Sequence, residues 1–182
     1  MTIQSTPFKD LLIIQPTVFE DERGYFFEPF NEARFRVDTG LNITFVQDNE
    51  SMSNAGVLRG MHFQMPPKAQ AKLIRVTRGR VLDVVVDLRR TQPTFMQHFA
   101  LELSEKNKTQ IFVPEGFAHG FLVLEDHTIF SYKCSNYYSR EHDRSLAFND
   151  PTVGIDWSIT NPVISEKDRV APAFDGFDSP FF

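Results

Sequence analysis

The sequence holds a single cysteine, Cys134, so no disulfide can close within the chain. That usage suits a reducing compartment, and the cytoplasm is the expected setting. No run of eighteen apolar residues occurs, which argues against a membrane-spanning helix. The first residues also lack the pattern of a secretory signal. An excess of basic residues is missing too: the net charge is −5. A general nucleic-acid binder would normally be basic, so neither nucleic acid nor membrane is an expected partner. A local basic pocket for a phosphorylated small molecule stays open. There is no internal repeat, low-complexity tract or linker. What is present is apolar mass: 41% hydrophobic residues, with nineteen phenylalanines among 182 positions. That is enough for one domain over residues 1–182 with a sizeable core.

The densest polar chemistry lies in Val57–Val76, VLRGMHFQMPPKAQAKLIRV, where Arg59, His62, Gln64, Gln70 and Lys72 fall within fourteen residues. Both ends have aliphatics spaced by twos, the strand period. Lys72 alternates with Ile74 and Val76 and therefore shares their face. Burying its charge costs several kcal/mol unless an anion meets it. A lysine at a strand end can also reach back to water. The polar density around it favours an anion-accepting cavity with a histidine beside it.

Along the chain, Leu11–Ile14 is a short apolar run, EDERG is a turn ending in glycine, and YFFEPF resumes an extended pattern. Asn31 can cap a helix, EARFRV, that stops at Gly40. Ile43–Asp48 reads as a strand with Gln47-Asp48-Asn49 at its end, either a turn or a ligand-contacting rim. Leu73–Val76 and Val81–Leu88 flank Thr77–Arg80 as a tight hairpin. In the second of these, Leu82, Val84, Val86 and Leu88 share one face, and Asp83 and Asp87 the other. Further strands are expected in Phe95–Leu103, Gln110–Val113, His119–Leu124 and Thr128–Cys134. This rate of short strands and turns predicts an all-β sandwich or barrel. The last third is polar, aromatic and turn-rich, with a helix start of the S-x-x-D form at Ser165–Asp168.

Two constellations bear on chemistry. Pro114-Glu115-Gly116-Phe117-Ala118-His119 has the P-x-G-x-x-H form of small β-barrels of the cupin kind. The companion H-x-H motif would need a histidine two residues after His62, where Gln64 stands. His62 and His119 give two ligands where a catalytic metal normally takes three, and Lys72 would repel a cation. No metal is therefore expected. Without one, His62 is free to act as a general base, needing a carboxylate to orient its other nitrogen; composition and spacing do not choose which. Tyr132 alternates with Phe130 and Cys134 toward the core, as a packed ring or as a proton donor. A lysine can stabilise a developing oxyanion. Base, acid and oxyanion stabiliser together suit proton abstraction α to a carbonyl. Arg23, Arg59 and Lys72 can meet phosphates, and Tyr137 or Tyr138 can stack on a nucleobase.

The runs LRGMHFQ, KLIRVTRG, VDLR, PEGFAHGF, YKCSNYYSREHDRS, NDPTVGIDW and SEKD, in order between Arg23 and Asp168, closely resemble the dTDP-4-dehydrorhamnose 3,5-epimerase family. The resemblance implies a cupin-type jelly roll, a homodimer and no metal or organic cofactor. It implies dTDP-4-dehydro-6-deoxy-D-glucose as substrate and dTDP-4-dehydro-L-rhamnose as product, in deoxysugar synthesis for bacterial surface polysaccharide such as the O antigen of lipopolysaccharide. Carried over by motif, His62 resembles the proton acceptor, Tyr132 the donor, Asp168 the carboxylate that orients the histidine, and Lys72 the group facing the C4 oxygen. Arg23, Glu28, Gln47, Asp48, Asn49, Arg59, His119, Asp143 and Lys167 resemble substrate contacts, and Tyr138 the ring stacked on thymine. The Arg23–Glu28 segment is expected near the dimer interface. Two positions depart from the family pattern: Asp143 stands where glutamate is usual, and Phe148 where tryptophan is. A single-centre epimerase of the same fold and a non-catalytic carbohydrate-binding cupin are the competing readings. A binder has no need of the full His62, Lys72, Tyr132 and Asp168 set.

Overall fold

Period-two alternation becomes strand along most of the chain. The computed structural model describes residues Met1–Phe182, with thirteen strands and two short helices. They are β1 (Thr2–Ser5), β2 (Leu12–Gln15), β3 (Phe19–Asp21), β4 (Gly24–Phe26), α1 (Glu32–Thr39), β5 (Gln47–Ser53), β6 (Leu58–Gln64), β7 (Lys72–Arg78) and β8 (Arg80–Asp87). After these come β9 (His98–Ser104), β10 (Gln110–Val113), β11 (Phe117–Val123), β12 (Thr128–Cys134), β13 (Asp143–Ser145) and α2 (Glu166–Arg169).

Six strands make one sheet in the order β1-β2-β10-β7-β12-β5, and five make a second in the order β13-β6-β11-β8-β9. Every pairing within them is antiparallel. The sheets face each other across a core that joins Ile74, Val76, Ile111 and Phe130 of the first to Val81, Val85, Phe117 and Phe121 of the second. This is the expected cupin-like jelly roll. Each such aliphatic or aromatic side chain contributes roughly 1.5–3 kcal/mol by leaving water. The turn-rich last third covers the back of the second sheet, where Trp157, Phe174 and Phe181 pack on Val84, Val86 and Leu122. Strand β8 is therefore buried on both faces, and its aspartates lie inside the protein rather than in solvent.

The first helix forms as its caps require: the Asn31 side chain accepts from the Arg34 N–H, and Gly40 closes it in the left-handed region at φ 72°. It buries Phe35 against Ile14, Leu73 and Phe112 on the outer face of the first sheet.

Two sequence expectations are corrected. Thr77–Arg80 is not a hairpin, because β7 and β8 belong to different sheets. The chain passes from one sheet to the other at Gly79, whose φ is 77° and whose Cβ, if it had one, would sit 2.2 Å from Thr128 Oγ1. Two adjacent apolar runs look alike whether they pair or face each other, so periodicity alone does not separate the cases. The strand expected over Ile43–Asp48 begins instead at Gln47 and runs to Ser53. Its inward positions carry Gln47, Asn49 and Ser51, polar side chains that an apolar alternation cannot flag.

Strands β6 and β11 approach closely where Gly60 meets Gly120. Gly60 has φ 138°, and a Cβ there would lie 2.4 Å from the Gly120 Cα. The register between the strands shifts at this point, between His119 and Phe121. Gly60→Ala is expected to cost at least about 3 kcal/mol, from overpacking and an unfavourable backbone together. The shift in the midpoint of urea unfolding measures it.

Candidate active site

Between the two sheets lies a cavity of about 580 Å3. Strand alternation aims polar side chains into it from both walls. The second sheet supplies Arg59, His62 and Gln64 from β6 and His119 from β11; the first supplies Asn49 from β5, Lys72 from β7 and Tyr132 from β12. Helix α2 closes one side with Lys167 and Asp168.

His62 and Asp168 meet directly: the ring Nε2 stands 2.6 Å from the carboxylate Oδ1. The two residues are 106 positions apart in the chain, so only the fold brings them together. Asp168 is buried, at 3% of its surface. Its backbone N–H donates to the Ser165 side chain, 3.1 Å, which is the cap predicted from S-x-x-D. Burial by itself disfavours the Asp168 anion. Hydrogen bonds from His62, Ser165 and the Gly60 amide outweigh that and hold its pKa below the usual carboxylate value. An ionised carboxylate takes the Nε2–H, which leaves Nδ1 of His62 as the nitrogen able to accept a proton.

Lys72 and Tyr132 stand together on the facing wall, with the lysine Nζ 5.7 Å from the centre of the tyrosine ring. Burial pushes the lysine pKa down; Cys134, Asp83 and Asp143 pull it back up. An anionic ligand would add to that upward pull. The Tyr132 phenol is pushed up by burial first and by Cys134 second, against the pull of Asn49 and Arg59. It is therefore a protonated donor at neutral pH. Cys134 is fully buried next to Lys72 in the β7–β12 register, and its Sγ accepts from Asn49 Nδ2 at 3.5 Å.

A second histidine–carboxylate pair stands beside the first. In the β6–β11 register His119 lies directly across from His62. Its Nε2 is 2.8 Å from Oδ2 of Asp83, which is 1% exposed. Sequence reasoning placed His119 among the ligand contacts and missed Asp83. The available signal was an aspartate in the register of Val81 and Val85, two core valines.

The other sequence-selected residues divide by place. Gln64 is buried, and its amide is fully used: Nε2 donates to the Lys68 and Tyr137 carbonyls, 2.6 and 3.2 Å, and Oε1 accepts from the Ser139 N–H at 2.6 Å. It fastens the loop that carries Tyr137 and Tyr138. Gln47 helps, with Oε1 accepting from the Tyr138 N–H and Nε2 donating to Asn49. Tyr138, Asp143 and Lys167 form the rim, where Asp143 Oδ2 accepts from Lys167 Nζ at 2.5 Å and from the Tyr138 hydroxyl at 3.3 Å. Arg59 is held by Ser53 through Nε and Nη2, 3.2 and 3.1 Å, with no carboxylate against it.

Four residues do not line the cavity: Gln47, which acts behind the wall through Tyr138 and Asn49, and Asp48, Arg23 and Glu28. Asp48 points to the opposite face of β5 and pairs with Lys133 at 2.8 Å. Its neighbours Gln47 and Asn49 face inward, so alternation itself carries Asp48 out. Arg23 is exposed on the β3–β4 ribbon and pairs with Asp21, and Glu28 pairs with Arg34 beside helix α1. Phe148, the other departure from the family pattern, packs with the C-terminal core, and its carbonyl accepts from Trp157 Nε1 at 2.8 Å.

The donors present do not suit a metal. No three histidine, cysteine, aspartate or glutamate side chains converge closely enough to hold one. The two cavity histidines leave Nδ1 free, so what is lacking is a third ligand: Gln64, at the position where one would stand, is fully occupied by the backbone.

The family model described as dTDP-4-dehydrorhamnose 3,5-epimerase matches residues 5–176. The chain belongs to the dTDP-4-dehydrorhamnose 3,5-epimerase family. Among curated members of that epimerase family, the one from Methanothermobacter thermautotrophicus is 51% identical over 167 residues, covering 90% of this chain and 89% of the relative. A crystal structure of the epimerase from Elizabethkingia anophelis is 54% identical, with a TM-score of 0.92 and 97% of both chains covered. A Legionella pneumophila dTDP-6-deoxy-D-glucose-3,5-epimerase, crystallised in complex with dTDP-4-keto-L-rhamnose, is 42% identical; its TM-score is 0.95, covering all of this chain and 98% of that one. The resemblance read from the motifs is thus the family of the whole fold.

Proposed function

We propose that the chain is an isomerase that converts dTDP-4-dehydro-6-deoxy-D-glucose to dTDP-4-dehydro-L-rhamnose, acting as one cupin-like epimerase domain over residues 1–182. Family membership supports the reaction. The observation that carries the mechanism is the placement of His62 and Tyr132 on opposite walls of one cavity, with Lys72 beside the tyrosine. Inversion at carbon needs a base on one face and an acid on the other. C3 and C5 both flank the C4 ketone, so each C–H is acidified by it. His62 Nδ1 takes the proton, and the C–H electron pair moves into the C3–C4 or C5–C4 bond to leave an enolate on O4. Lys72 stabilises that oxygen, and the Tyr132 hydroxyl returns a proton to the opposite face. Asp168 holds His62 in the required tautomer. Arg59 is the unpaired guanidinium suited to the diphosphate, with Gln47, Asn49, His119, Tyr138, Asp143 and Lys167 placing the rest of the substrate. Incubating the protein with the dTDP-ketosugar and reading the product's ring couplings by proton NMR tests the reading: inversion at C3 and C5 is expected, and unchanged substrate would contradict it.

No step in this reaction requires a metal or an organic cofactor. Activity is expected to survive prolonged EDTA treatment unchanged. Loss on chelation with recovery on adding back one metal would overturn the mechanism.

The homodimer belongs to the same reading. The β3–β4 ribbon pairs only with itself, and it exposes 63% of Phe19, 57% of Tyr25 and 67% of Phe26. A second copy covering these rings would relieve that exposure. It would also bring Arg23 and Glu28, remote from the cavity in their own subunit, toward the substrate of the partner. Light scattering at micromolar concentration is expected to give twice the 21.0 kDa chain mass; a monomer would contradict it. No helix is long and apolar enough to cross a membrane, and a cytoplasmic setting in deoxysugar synthesis fits the proposed substrate.

A further inference from the structure

Strand β8 presents two aspartates, Asp83 and Asp87, on the same buried face, and they are treated differently. Asp87 is fully satisfied. Its Oδ1 accepts from Arg89 N and Nε, both at 2.9 Å, and Oδ2 accepts from Arg89 Nη2 at 2.8 Å and Thr94 Oγ1 at 2.7 Å. This is a structural clasp with its counter-charge in place. Asp83 has no cation hydrogen-bonded to it, although Lys72 feels its charge. Its one hydrogen-bond contact is His119 Nε2 at 2.8 Å, and its Oδ1 is the one buried side-chain polar atom in the protein without a hydrogen-bond partner.

A carboxylate left half-satisfied inside a core is costly, and such groups call for a reason. Stability alone does not supply one, since replacing both members of a buried polar pair by apolar groups of similar shape is often neutral or stabilising. What Asp83 does is fix a ring. A carboxylate oxygen only accepts, so Nε2 of His119 must carry the hydrogen. His119 lines the cavity beside His62 on the same wall, and the nitrogen left free is Nδ1, which in this tautomer can only accept.

We propose that Asp83 is a positioning residue that holds His119 in the Nε2–H tautomer, so that Nδ1 receives a hydrogen bond from a sugar hydroxyl of the substrate. Burial, the largest influence on His119, keeps its pKa below the usual value, and Lys72 and His62 push the same way against Asp83. The ring therefore stays neutral and keeps its acceptor. The two pairs differ in use: Asp168 orients a nitrogen that takes a proton from carbon, and Asp83 orients one that reads a hydroxyl. The hydroxyl contact rests on the epimerase reading above; the tautomer does not.

The experiment combines a spectrum with kinetics. Long-range proton–nitrogen correlation on 15N-labelled protein, with His119→Asn to assign the signals, is expected to give a pyrrole-type Nε2 and a pyridine-type Nδ1 for His119 in the wild type. Asp83→Asn is expected to mix or reverse the tautomer. It should raise KM for the dTDP-ketosugar about tenfold, the worth of one hydrogen bond, and change kcat less than about threefold. In a His119→Asn background, Asp83→Asn should add almost nothing, because the two residues act as one unit. A wild-type His119 protonated at Nδ1 or at both nitrogens would overturn the proposal, as would an unchanged KM in Asp83→Asn or fully additive losses. Additive losses would assign Asp83 to Lys72 instead. Should Asp83→Asn fail to fold, the wild-type tautomer and the KM of His119→Asn decide the question by the same criteria. A wild-type protein inert toward the ketosugar would remove the epimerase reading and the hydroxyl contact with it, and the tautomer would still be read from the spectrum.

Discussion

His62→Ala is expected to lower both epimerisation and solvent exchange of the substrate by roughly 10²–10⁴-fold, the span that general base catalysis supplies. No proton leaves carbon without an acceptor, so the two measurements should fall together. Some stability should be lost as well, because His62 is the leading hydrogen-bond partner offsetting the burial of the Asp168 carboxylate, so a thermal melt accompanies the assay. The same assay on Asp168→Ala should show losses of similar kind, since an unheld ring samples the wrong tautomer and the wrong rotamer. Asp168→Ala also removes a carboxylate held below its usual pKa. The stability that this carboxylate gives the wild type is present above its unfolded pKa and fades as pH falls through the folded value. The variant should therefore differ from wild type in melting temperature at neutral pH and less in strong acid. If His62→Ala exchanged deuterium at near-wild-type rate, another group would be the base.

Tyr132→Phe separates acid from base. It removes one oxygen and keeps a ring that packs at 5.9 Å from Phe130, so the fold should be preserved. His62 still takes the proton and Lys72 still meets the enolate. What disappears is delivery from the opposite face, so turnover to the inverted product should fall by roughly 10²–10⁴-fold. Exchange with solvent should fall less, because His62 can hand back a solvent-derived proton with retention. Deuterium incorporation and product stereochemistry measured on one sample distinguish the cases. Equal losses would deny Tyr132 a separate role as acid, and undiminished inversion would place the donor elsewhere.

Much of this arrangement was legible in the sequence, and the reasons are physical. Lys72 and Tyr132 were visible because each sits in register with core aliphatics, and a polar group in that register must have something to meet. The caps of both helices were readable because Asn31, Gly40 and Ser165 satisfy local backbone groups that do not depend on the rest of the fold. Partners far apart in sequence were a different matter. Spacing gave no means of pairing His62 with Asp168, and motif resemblance supplied that link. Asp83 escaped because an aspartate alternating with apolar residues looks like a solvent face when the strand is taken to be half-buried, and β8 is covered on both sides. The crossing at Gly79 escaped for a related reason: two sheets that face each other and two strands that pair present the same apolar period. Asp48 was grouped with Gln47 and Asn49 as a motif, and the pleat of β5 separates it from them.

The central claim is that protons leave and return at both carbons next to the ketone. Proton NMR of the dTDP-ketosugar with wild-type protein in deuterated water tests it most directly. The account predicts deuterium at both C3 and C5 of an epimerised product, with no other ring position labelled. Label at one carbon alone would reduce the enzyme to a single-centre epimerase. Inversion without any deuterium, or binding with neither, would contradict the proton-transfer mechanism.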